Sequence, residues 1–98
     1  MDVRHDDDDL AQMESDADYN ASFSTQIGRA FRKAMNLVRQ VPHEAALMQF
    51  RGLHSEKLQG DRQHQWSLRL NDQWRLIYEI EKQEGGNLFV AKAIVDYH

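Results

Sequence analysis

The spacing of apolar residues changes once along this chain, and the change limits what it can fold into. From Thr25 to Val41 they recur at three- and four-residue steps: Ile27, Ala30, Phe31, Ala34, Leu37 or Val38, and Val41. That spacing predicts an amphipathic helix with one buried face. From Trp66 onward the period drops to two. Trp66, Leu68 and Leu70 alternate with Ser67 and Arg69, and Trp74, Leu76, Tyr78 and Ile80 alternate with Arg75, Ile77, Glu79 and Glu81. These predict two half-buried strands. Helical elements followed by strands define an α+β fold, with N-terminal helices packed on one face of a small, mostly antiparallel C-terminal sheet. At 98 residues the chain makes one domain, 1–98, with a modest core.

The remaining boundaries follow from local signals. Residues 1–5 read as an edge strand and 6–50 as the helical half. In that half Asp6–Ser15 carries Leu10 and Met13 at helical spacing, and four aspartates suit the positive end of the helix dipole. Contiguous aspartates lack the spaced ligands and central glycine of a calcium loop, so no metal is expected there. Ser22 or Ser24 caps the helix that follows. Pro42 ends that helix or opens a short segment over His43–Phe50. Residues 51–65, punctuated by Gly52 and Gly60, read as a loop holding His54, Lys57 and Arg62. Residues 66–98 form antiparallel strands. The last strand, Leu88–Tyr97, follows the turn Glu84-Gly85-Gly86-Asn87 and is apolar on both faces, as a central or covered strand is.

The two tryptophan strands set their own register. Keeping both apolar sets on one face places Leu70 opposite Trp74 and leaves Asn71-Asp72-Gln73 as a three-residue loop, whose last residue is often left-handed. Arg69 then opposes Arg75, and both point away from the core. Like charges directly opposed destabilise a strand pair, so an anion should relieve them: a phosphate, or a carboxylate such as Asp96 or Glu79.

Charge is unevenly distributed. Residues 1–28 hold eight acids and one arginine, while residues 29–98 hold eleven Lys/Arg against eight Asp/Glu. A polyanion is drawn to the body and repelled by the front. The basic face of the long helix (Arg29, Arg32, Lys33, Asn36, Arg39, Gln40) either meets nucleic acid or an acidic partner, or is simply solvated. Without cysteine there is neither a disulfide nor a thiolate metal site. The acidic start is the opposite of a secretory leader, and no apolar run has membrane-spanning length. A cytoplasmic protein with no membrane partner is expected.

Two groups of residues suggest chemistry. One is the arginine-bearing hairpin. The other is the ending Val95-Asp96-Tyr97-His98, which gathers a carboxylate, a phenol and an imidazole. Together they suit RNA cleavage; separately they only complete a sheet. With Leu58-Gln59-Gly60-Asp61-Arg62 and Trp66 to Leu76 they resemble the RelE/ParE toxin superfamily, specifically its HigB (plasmid maintenance system killer) branch. The resemblance covers essentially the whole chain. It implies the toxin of a type II toxin–antitoxin pair that cuts messenger RNA in the ribosomal A site, without metal or cofactor, by attack of the RNA 2′-hydroxyl. By position, Arg75 matches the family's sheet arginine, and Asp96, Tyr97 and His98 match its terminal catalytic and binding residues. Arg69, Lys57 and His54 are expected to support RNA binding. The implied partners are a cognate antitoxin of helix-turn-helix type, joined in a higher-order hetero-oligomer, and the ribosome with its message.

The chain departs from the family in one place. Many relatives read His-Pro-Leu-Lys-Gly-Asp before the first tryptophan. Aligned without a gap, the lysine position holds Gln59 and the histidine position Glu56; with a two-residue insertion, His54 and Lys57 take them. Two alternatives share the scaffold: a non-enzymatic ParE-like poison of DNA gyrase, and an inactive remnant that only binds antitoxin. In the nuclease reading His98 moves the protons, and Asp96 is the base or fixes the imidazole tautomer. Tyr97 stacks on a base or bonds near the phosphate, and Arg75 meets the phosphate oxygens. That reading requires Arg75 and His98 to reach one patch of solvent.

Overall fold

The computed structural model describes residues 1–96. Strand β1 (Asp2–His5) leads into helix α1 (Asp8–Ser15), and a connection over 16–24 leads to helix α2 (Thr25–Gln40). Three short 3-10 turns follow, at Glu44–Gln49, Arg51–Leu53 and Gly60–Arg62. The strands β2 (Glu56–Lys57), β3 (Gln65–Arg69), β4 (Trp74–Glu81) and β5 (Leu88–Asp96) complete one sheet in the order β1-β5-β4-β3-β2. Only β1 pairs in parallel, against β5; the other pairs are antiparallel.

The core lies between α2 and one face of the sheet. Ile27, Phe31, Ala34, Met35 and Val38 of α2 are buried against Leu68, Leu76, Tyr78, Phe89 and Ala91. Of the two candidates for one helical step, Val38 is buried and Leu37 only partly. Trp66 and Trp74 sit at the rim of this core rather than inside it. Trp74 meets the Phe23 ring edge-on at 5.6 Å, and Trp66, Tyr78 and Phe89 form a stacked row. The last strand is internal, between β1 and β4, which explains its two apolar faces.

The acids at the front are largely spent within the fold. Asp7 caps α1, accepting from the Asp9 and Leu10 amides at 2.8 and 3.2 Å. Asp6 pairs with Lys92 at 2.8 Å and with Arg4 at 3.0 Å, and these cations hold its carboxyl below the usual range. Asp9 accepts from the Tyr19 hydroxyl at 2.6 Å. Part of the basic face of α2 also turns inward. Arg32 donates to the Met13 and Tyr19 carbonyls and to Asn20 Oδ1, fastening the 16–24 connection to α2.

Glu14 joins α1 to the rest. It receives both Nε and Nη2 of Arg39, at 2.6 and 2.8 Å, and faces His5 Nε2 at 2.7 Å. The Arg39 guanidinium, and after it His5, hold its carboxyl below the ordinary 4.5, against the opposing effect of burial. A carboxylate with a depressed folded pKa contributes stability that is complete above its unfolded value and lost as pH falls through the folded one. Glu14→Gln is therefore expected to lower stability near neutrality and to make little difference in strong acid. Urea unfolding of both proteins at the two pH extremes measures this; a gap that is the same at both would contradict the linkage.

Candidate functional site

The hairpin register follows the apolar alternation: Leu68 faces Leu76, and Arg69 faces Arg75. The turn closes differently from the expected left-handed residue, because Gln73 does not have positive φ. Instead the Asn71 side chain accepts from the Gln73 and Trp74 amides at 2.9 and 2.8 Å. A side chain that caps its own turn supplies the geometry a left-handed residue would otherwise provide.

The two opposed arginines are drawn apart. Arg69 pairs with Asp72 of the turn. Arg75 is buried, with 9 % of its surface exposed. Its Nε donates to Ser67 Oγ at 2.8 Å, and its Nη2 donates to the Ser67 carbonyl at 3.3 Å and to the His54 carbonyl. Glu56 stands 3.9 Å away. Carboxylates from the turn and from β2 thus relieve the like charges, while Glu79 is engaged by Gln65 at 2.9 Å and by His64 at 3.6 Å.

The expected 51–65 loop is partly ordered into 3-10 turns and the two-residue strand β2, which pairs Glu56 with Ser67 and Lys57 with Trp66. A pair of polar residues carries no readable period, so only the tertiary pairing reveals this strand. The pairing sends Glu56 to the Arg75 face and Lys57 to the opposite one, since directly paired residues share a face. His54 has φ 42 and ψ 54, a left-handed conformation rare outside glycine. Such a conformation persists where its surroundings over-determine it. Here Arg75 holds the His54 carbonyl, and Ser55 Oγ lies 2.5 Å from the Tyr78 hydroxyl. Burial raises the Tyr78 phenol above its ordinary value and keeps it protonated.

A polar depression of about 300 Å³ results, lined by His54, Glu56, Arg69, Asn71, Asp72 and Arg75. It unites three of the residues singled out from sequence: His54, Arg69 and Arg75. Lys57 instead lines a separate hollow with Leu58, Gln59 and Arg62. Asp96 pairs in register with Trp74, and Arg75 with Val95, so alternation assigns Asp96 and Arg75 to opposite faces of the sheet. Asp96 accepts from Gln73 Nε2 at 2.9 Å, beside the turn residues that line the depression. Tyr97 and His98 lie outside the described residues. Sequence reasoning did not place Ser67, Asn71 or Asp72 in the site, and named Glu56 only as the residue at the family's histidine position in the ungapped alignment. Ser67 was readable, because alternation puts it on the face of Arg69 and Arg75; Glu56 depended on the pairing of β2.

Helices on one face of a five-stranded, mostly antiparallel sheet make a fold that matches the RelE/YoeB-like toxin fold. A solved structure described as the "YoeB/ParE toxin from Agrobacterium tumefaciens" aligns over 100% of both chains with a TM-score of 0.62 at 15% sequence identity. The family model HigB-like toxin, described as the RelE-like toxin of type II toxin-antitoxin system HigB, matches residues 3–98, and the chain belongs to that family. It is the toxin of a toxin–antitoxin system, and a cognate antitoxin is its partner. No curated protein matches the chain. Among the described residues, no helix is long and apolar enough to cross a membrane.

Proposed function

We propose that this toxin is a metal-independent endoribonuclease that cuts messenger RNA on the ribosome. The observation that carries the reading is the meeting of His54, Arg69 and Arg75 in one polar depression, beside the turn that Asp96 reaches through Gln73. In the reaction a base takes the 2′-proton and the 2′-oxygen attacks the phosphorus. The bond to the 5′-oxygen then breaks as an acid protonates that oxygen, leaving a cyclic phosphate. Asp96 and His98 are the proposed proton-handling groups, with Tyr97 stacking on a base or bonding near the phosphate. Arg69, half-buried at the lip and paired with Asp72, offers its guanidinium to the phosphate in exchange for that carboxylate. Arg75 acts mainly through others, by holding the segment that presents His54. Lys57, on the far side of β2, supports RNA further from the reacting bond. The site is proposed to belong to a single cytoplasmic toxin domain, 1–98, regulated in a larger complex with its antitoxin.

His54→Gly separates the side chain from its backbone. Glycine adopts the left-handed conformation without steric cost, so stability is expected to hold or rise. Removing the imidazole is expected to slow cutting by about tenfold or more. Thermal unfolding with cleavage of ribosome-bound message checks both. Undiminished cutting would remove His54 from the site.

A further inference from the structure

Two faces of the sheet hold one pair of residues. Alternation along β4 sends Arg75 to the face away from the helices and Tyr78 into the core. Arg75 reaches past β3 to the His54 carbonyl. Tyr78 reaches past β3 on the other face, and its hydroxyl shares a hydrogen bond of 2.5 Å with Ser55 Oγ. The phenol ring is fixed where it stands. It is 1 % exposed, with its centroid 4.4 Å from that of Phe89 and 6.5 Å from that of Trp66. Ser55 is half-buried. A packed ring with one polar tip is a precise anchor, because the core sets where the hydroxyl lies.

The pair held in this way includes the strained residue of the polar depression. His54 has φ 42 and lines that depression with Arg69 and Arg75. A residue with a Cβ leaves the left-handed region for extended backbone unless its surroundings hold it there. Leaving it turns the Cα–Cβ bond and carries the imidazole away from the two guanidiniums. The bond from Arg75 fixes one atom, the carbonyl oxygen, and the peptide can still pivot about it. The bond from Tyr78, one residue further on, removes the pivot.

We propose that Tyr78, acting through Ser55, is a positioning residue of the RNA site that sets the place of the His54 imidazole. Its effect on cutting rests on the proposed function; the anchoring of the 54–55 segment does not. Tyr78→Phe removes the hydroxyl and keeps the ring stack. Ser55→Ala removes the same bond from its other end and keeps the test open if the core variant fails to fold. Hydrogen exchange on the full-length toxin reads the anchor. The His54 amide, which donates to the Arg51 carbonyl at 3.1 Å, is expected to exchange faster in each variant while the amides of β4 change little. Cutting of ribosome-bound message reads the site. Each variant is expected to cut roughly five- to tenfold more slowly at saturating ribosomes, with the half-saturating concentration near that of wild type. The double variant should be no slower than either single one. In a His54→Gly background, Tyr78→Phe should slow cutting no further.

Equal slowing by Tyr78→Phe with and without the imidazole would make Tyr78 a structural residue and overturn the inference. So would unchanged exchange at His54, or faster exchange with undiminished cutting. A wild-type toxin that cuts no message refutes the proposed function instead. The anchor is then judged by exchange alone: a selective rise at His54 upholds it, and no rise overturns it.

Discussion

Arg75→Ala is expected to abolish growth arrest and to lower the unfolding free energy by about 2–4 kcal/mol. From sequence alone the substitution would be expected to leave the fold intact. Burial changes that expectation, since the guanidinium donates to Ser67 Oγ, the Ser67 carbonyl and the His54 carbonyl. Alanine leaves these acceptors short of a donor under the 51–57 segment, and the left-handed turn at His54 loses a restraint. Arg75→Lys keeps the charge but lacks the planar fork, so it should recover part of the stability and little of the activity. Urea unfolding and growth after induction measure the two effects. An alanine variant as stable and as toxic as wild type would refute both the positioning role and the site.

His98→Ala is expected to carry the second large effect. Positioned acid–base groups contribute about 10²–10⁴-fold to proton-transfer steps, which corresponds to roughly 3–5 kcal/mol of barrier. The variant should therefore cut ribosome-bound message slower by that factor. Cleavage is the readout that matters, because growth arrest saturates when the toxin is in excess. Equal rates for wild type and variant would exclude His98 as the proton-handling residue.

Both effects draw on features that were unequally legible in the sequence. The hairpin register was fully readable: two alternating strands must share a face, and that alone sets Arg69 against Arg75. Helix α2 was readable for the same reason, apart from the choice between Leu37 and Val38. The burial of Arg75 was not. Alternation says that it leaves the main core, but the cover on that second face comes from His54 and Glu56, brought there by a two-residue strand with no period of its own. The fate of the front acids was also hidden. Their partners Lys92, Tyr19 and Arg39 are chosen by packing, whereas the cap at Asp7, the Asp16 contact to the Asp18 amide and the Arg4–Asp6 pair are local. Asp96 illustrates the same limit. Its place beside Gln73 follows from the pairing of β4 with β5, and the pairing puts it on the side of Trp74 rather than of Arg75.

The central claim is phosphodiester cleavage of message during translation. Primer extension on a defined message, before and after induction of the wild-type toxin, tests it most directly. New 5′ ends within translated codons, lost when translation of that message is blocked by a start-codon change, are the result this account predicts. An intact message accompanied by broken chromosomal DNA would contradict it and point to gyrase instead.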